Sequence, residues 1–180
     1  MTVISDKLFI TQDAFATYKD LSEHMDSVLM DAYIRESQVI DLQSFLGPEL
    51  YLILQNDFTP PDTWATPKYK DLFEGSDYTS PNTGNIRQHG LQPMLTLFAY
   101  ARMLDNISMS VTRIGAINYT EDETSVATTQ AQIKTKVIST RALAVAYQQE
   151  SAQFLRDKNL DYPEWFDRTE KNQSYQFIKL

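Results

Sequence analysis

The stretch Val111–Thr124, VTRIGAINYTEDET, decides how this chain is read. It begins as a β-branched run with one glycine, while the sequence on either side carries helical spacing. Just upstream, Ile107, Met109 and Val111 alternate with Ser108, Ser110 and Thr112, the period of two that sends successive side chains to opposite faces of a strand. Ile114, Ile117 and Tyr119 continue the pattern beyond Arg113 and Gly115. The reading is a short β-hairpin over about residues 107–119, bent at Gly115. Thr120-Glu121-Asp122-Glu123 then fits a capping box, with three acids at the positive end of a helix dipole. The helix they start is expected to reach Lys158, because Ile133, Val137, Ala144, Tyr147, Phe154 and Leu155 hold helical spacing.

Working back from the hairpin, Leu91, Met94, Leu95, Phe98, Ala99, Arg102 and Met103 form one stripe of a helix expected from near Ile86 to Asp105 or Asn106. Pro93 falls either in its first turn or at a kink. Further back, Met25, Val28, Leu29, Ala32, Tyr33 and Ile40 recur at helical steps, with Glu23, Asp26, Asp31 and Glu36 elsewhere on the wheel, so this stripe is read as the buried face of an amphipathic helix. That helix continues to Gly47, and Pro48 opens the next, PELYLILQND. FTPPDTWATP reads as an extended loop, Thr66 and Pro67 as cap and first turn of a short helix closed by Gly75, and SDYTSPNTGN as a surface loop. The fold class expected is mainly α: an antiparallel helical bundle with a short β-hairpin inserted before the last long helix. Its domain runs over residues 1–160, followed by a docking tail over 161–180 that mixes aromatic and charged residues.

The chain's 180 residues suffice for one domain with its own core. It has no cysteine, which removes disulfides and cysteine-built zinc sites. The net charge of −8 argues against non-specific binding of phosphates, which needs clustered Lys and Arg, yet suits a surface that a polyanion passes without sticking. No apolar run approaches the roughly 20 residues of a membrane span, and no basic segment leads into an apolar one at the N-terminus. A soluble, cytosolic chain without membrane contact is expected.

Catalytic signatures are few. His24 and Asp20 lie one helical turn apart but lack a third ligand, and His89 beside Gly90 is uninformative. There is no GxSxG and no phosphate-binding glycine loop, and Glu121 with Asp122 is accounted for by capping. No metal, cofactor or enzymatic activity is expected. Tyr69, Phe73, Phe98, Tyr100, Tyr147 and Phe154 sit at helical spacing and belong to the core. Trp64, Trp165, Phe166, Tyr175 and Phe177 lie in loops or the tail, where large rings serve either as interface anchors or as internal packing.

The succession VIDLQSFLGPELYLIL, a proline-rich loop, LQPMLTLFAYARML, VTRIGAINYTEDETS and a long helix ending AVAYQQESAQFLRDKNLDYPEW resembles the head-to-tail connector proteins of tailed bacteriophages, particularly the crAss-like type. The resemblance spans nearly the whole chain. It implies a non-catalytic virion neck protein, assembled in the bacterial host cytoplasm as a homo-oligomeric ring, typically of twelve copies. Such a ring sits beneath the portal protein, extends the DNA channel without specific DNA binding, and offers its lower face to the next tail or neck protein. Carried onto this chain, Val111, Arg113, Ile114, Gly115, Ile117 and Tyr119 would contact a neighbouring subunit or the channel. Trp165, Phe166, Tyr175, Phe177 and Ile178 would dock on the portal. The rival expectation is a monomeric helical scaffolding or regulatory module that binds a single partner protein through its aromatic tail.

Overall fold

Gly47 and Pro48 divide the first half of the chain as their residue types predict. Before them, α2 (Ser27–Ser37) passes into a π-helical turn, Gln38–Leu42, and then α3 (Gln43–Leu46); after them, α4 (Pro48–Asp57) starts with proline in its first turn. A short α1 (Gln12–Tyr18) precedes them. In this computed structural model the described residues are 7–18, 27–106, 109–112, 115–118 and 130–165. Residues 21–26, where the sequence places the start of the α2 helix, lie outside them.

The amphipathic stripe of α2 is present but faces the opposite way from the sequence reading. Leu29 and Ile40 are each 52 % exposed, and Val28, Ala32 and Val39 are exposed with them. The buried face is Met30, Ile34, Ser37, Gln38 and Leu42. Two polar residues sit on that inner face because each has a fixed partner. Arg102 donates to Ser37 Oγ (3.2 Å) and to Asp41 (2.8 Å), and Gln38 reads the backbone of the N-terminal segment.

That segment is held by side-chain amides rather than by a strand ladder. Lys7 N–H donates to Gln55 Oε1 (2.9 Å), while the Lys7 carbonyl accepts from both Gln38 Nε2 (3.0 Å) and Gln55 Nε2 (2.9 Å). Phe9 N–H donates to Gln38 Oε1 (2.7 Å). The Phe9 ring then enters an aromatic box, with ring centres of Tyr51, Phe58, Trp64 and Phe73 at 5.4–5.9 Å and the indole stacked at 7°. Buried amides with all their partners specify position, since each group left unpaired there would cost stability.

The proline-rich loop contains a two-residue antiparallel pair, β1 (Phe58–Thr59) and β2 (Thr63–Trp64). Thr66 precedes α5 (Pro67–Glu74), as expected, but makes no side-chain cap: its hydroxyl and its N–H both donate to Asp57. SDYTSPNTGN is not a loop. It supplies most of a regular hairpin, β3 (Ser76–Ser80) paired with β4 (Gly84–Gln88), Tyr78 opposite Ile86, with only Pro81-Asn82-Thr83 as its turn.

Gly75 and Gly90 bring the two ends of this hairpin together. At Gly90 (φ +81°) an added Cβ would meet the Phe73 carbonyl and, at 2.6 Å, Gly75 N; at Gly75 (φ +98°) it would lie 2.6 Å from the Gln88 carbonyl oxygen. Helix α6 (Leu91–Asn106) can begin only past Gly90, so Ile86, from which the sequence reading started it, is a strand residue instead. Pro93 lies in the first turn of α6, with no kink required.

Helix α6 is the hub, packing against α1, α2, α5 and α7 (Gln130–Asp157). His89, just ahead of α6, meets Glu150, and Asp105 near the end of α6 meets Arg141, so α6 and α7 run antiparallel. The buried side of α7 is Val137, Thr140, Ala144, Ser151, Ala152, Phe154 and Leu155. Its described start is Gln130, and the capping sequence Thr120–Glu123 lies outside the described residues. The connection between α6 and α7 carries the hairpin expected there, β5 (Met109–Thr112) and β6 (Gly115–Asn118). The chain is thus mainly helical, with small antiparallel hairpins and a long C-terminal helix.

Candidate functional site

The hairpin residues singled out by the sequence are in part described. Val111 pairs with Ala116, Ser110 with Ile117 and Thr112 with Gly115. Gly115 is therefore the first residue of a strand and not the bend. Arg113, Ile114 and Tyr119 lie outside the described residues. In sequence the hairpin lies between α6 and α7, the two helices that pack most extensively on each other among the described elements.

Of the docking residues, Trp165 is described; Phe166, Tyr175, Phe177 and Ile178 lie outside the described residues. Trp165 is half-buried, its indole N–H donates to the Phe45 carbonyl (3.3 Å), and the two rings stand 6.1 Å apart. Three residues earlier Tyr162 is buried on Tyr69 and Phe154, and its hydroxyl donates to the Lys68 carbonyl at 2.5 Å. Burial above all, then the charges of Asp71 and Asp161, pushes that phenol well above the ordinary tyrosine range. The boundary expected at residue 160 thus falls ahead of two aromatic residues that pack on the helical body.

Two surfaces were not singled out as interaction sites from sequence. One is the outward face of α2 and the π-turn, where Leu29, Ala32, Val39 and Ile40 surround Glu36. The other is a flank of α7 on which Lys134, Ile138, Arg141 and Val145 follow at steps of four, three and four, Ile138 being 69 % and Val145 39 % exposed. Exposed aliphatic side chains are unremarkable singly, but arrayed along one helix face they mark a surface suited to another protein. The signal for the first was legible as the amphipathic stripe; what sequence could not supply was the side on which the core lies.

Among the described residues, His89 and Glu150 hold each other. Glu150 accepts from the backbone N–H of His89 (2.6 Å) and lies 2.9 Å from its ring Nδ1, which ties the start of α6 to α7. The His89 ring also stands edge-on to Tyr147 at 5.6 Å. A cleft of about 590 Å³ is bordered by Phe9, Trp64, Asp13, Asp62 and Glu74, with no histidine or lysine among the described residues of its lining. Among the described residues no group of three His, Cys, Asp or Glu is placed to hold a metal, and no helix is long and apolar enough to cross a membrane. His24 and Asp20 lie outside the described residues.

Residues 42–175 match the model of DUF6712, a family of unknown function, so the match covers most of the chain. No curated protein and no solved structure matches it.

Proposed function

We propose a structural role for this chain, which belongs to the DUF6712 family: a virion head-to-tail connector subunit that acts by ring assembly and catalyses nothing. The observation that carries this reading is the pair of apolar helix surfaces left in solvent on different elements, the outward face of α2 and the flank of α7. A closed ring of identical subunits needs two unlike surfaces per copy, since each subunit gives one to its left neighbour and the other to its right. A monomeric module that uses only its C-terminal tail has no need of either. The helices grouped on α6 serve in this reading as an antiparallel bundle that holds both surfaces rigidly.

The remaining assignments follow the resemblance to phage connectors. The hairpin Met109–Asn118 meets a neighbour or the channel, and the chain after Trp165 docks on the portal protein. The next neck or tail protein binds below, and DNA passes through a bore whose lining is favoured by the net charge of −8. Light scattering and negative-stain imaging of the full chain, alone and with the portal protein, provide the test. Rings in either sample are the expected result; a strictly monomeric chain that ignores the portal would refute the connector role and favour the single-partner module.

A further inference from the structure

We infer that the α2 face of one copy packs on the α7 flank of the next, so that the subunit contact is a heterologous helix-on-helix interface. This inference rests on the ring reading above and goes beyond it by naming the surfaces.

The two strips match in length, because Leu29 to Ile40 and Lys134 to Val145 each span eleven steps along the chain, about 16 Å of helix. They also match in pattern. On α2 the exposed residues Leu29, Ala32, Val39 and Ile40 surround one carboxylate, Glu36. On α7 the exposed Ile138 and Val145 alternate with two cations, Lys134 and Arg141. From Gln130 to Gln149 the helix has Lys134, Lys136 and Arg141 and no acid at all, in a chain whose net charge is −8. Arg141 has Asp105 at 3.7 Å across a half-exposed gap, and Arg35 beside Glu36 is engaged within the chain.

The charges decide which copy of a face meets which. Pairing α2 with α2 brings two copies of Glu36 into one contact with no cation of the strip between them, and pairing α7 with α7 gathers four cations with no carboxylate of the strip among them. Only α2 against α7 places Glu36 among Lys134 and Arg141 while covering aliphatic side chains on both helices. That contact is not self-complementary, and it therefore passes from copy to copy instead of closing a dimer, giving a ring where the rotation closes. The occupant of each face is thus a second copy of this chain.

The native sequence contains no cysteine, which permits a direct test. Full-length Ala32→Cys and Ile138→Cys variants, each near the middle of its strip, are mixed and treated with a short bis-maleimide. The expected product is a covalent pair in the mixture and none with either variant alone. Linking of either variant to itself as readily as to the other would overturn the heterologous contact. If the unmodified chain assembles by light scattering but the mixture does not link, the ring stands and this interface is wrong. If the unmodified chain stays monomeric, the ring reading fails and takes the interface with it. Linking that appears only after truncation past Trp165 would mean that the chain's own residues 166–180 cover a strip, and would overturn the inference. Ile138→Asp serves as the independent check: at least a tenfold weaker association with an unchanged far-UV circular dichroism spectrum is expected, and unchanged association would refute the contact.

Discussion

Gly75 and Gly90 show how a single missing methyl group organises several elements. Their close approach lets α5 end, a hairpin leave and return, and α6 start, all within a few ångströms. Gly84 has a similar positive φ (+81°) but open space around it. The two kinds of glycine separate experimentally. Gly84→Ala should cost only the backbone strain, on the order of 1 kcal/mol, while Gly90→Ala adds a clash with the Phe73 carbonyl and should cost about 3 kcal/mol or more. Urea denaturation of both variants checks this, and equal losses would mean that the Gly75–Gly90 contact contributes nothing. The sequence displays both residues, but only as turn formers; that they touch each other is a fact of three dimensions.

At the scale of elements, helix bounds were legible wherever residue chemistry forces them. Gly47-Pro48, Pro67 and Gly75 mark ends that propensity alone makes costly to move, and α4 and α5 fall where they were expected. The hairpin β3–β4 was missed because its strands are short and rich in Ser, Asp, Asn and Thr, which also describe a loop. Tyr78 and Ile86 give it an inner side only once α7 is there to pack on. The outward turn of α2 escaped for a related reason: its core face uses Ser37 and Gln38, whose partners Arg102, Lys7 and Phe9 lie far away in sequence. The hairpin Met109–Asn118 was legible from its period of two, whereas its turn position was not, since Gly115 pairs with Thr112.

The junction of β3 with α7 also carries a pH dependence. Tyr78 donates to Asp157 (3.1 Å) and packs edge-on against Phe154. Burial first, then the hydrogen bond and charge of Asp157, then Glu150, push its phenol up from 10.0 to about 12. An unfolded tyrosine ionises near pH 10, so above that pH the unfolded chain has lost a proton that the folded chain still holds. Stability is full below about pH 10 and falls as pH rises towards about 12. Urea denaturation at a series of alkaline pH values should show this decline, shallower in Tyr78→Phe; an identical slope in the variant would show that the phenol is not held neutral.

For the whole molecule, Tyr162 and Trp165 pack on the helical body, and this separates two truncations. A chain stopped after Asp161 loses Tyr162 from the core and Trp165 from Phe45. It should be destabilised by about 3–5 kcal/mol, the usual loss for a buried aromatic side chain. A chain stopped after Trp165 should keep its melting temperature and lose only portal docking. Thermal unfolding paired with a portal pull-down distinguishes them, and unimpaired docking of the second chain would remove the terminal residues from that role. The site was less legible than the fold for a physical reason: an interaction surface is defined by what is left uncovered, and that depends on where every other helix has gone.

The glutamine clip on Lys7 and Phe9 has a consequence for biosynthesis. Phe9 leaves the ribosome before its receptors, Gln38, Tyr51, Gln55, Phe58, Trp64 and Phe73, which are translated after it. At ≈5–20 residues per second, the segment waits several seconds for its seat, with Phe9, Ile10 and Phe15 bare. A segment translated ahead of its seat therefore exposes three large apolar side chains until Phe73 has emerged, and during that interval it is prone to stick to another chain.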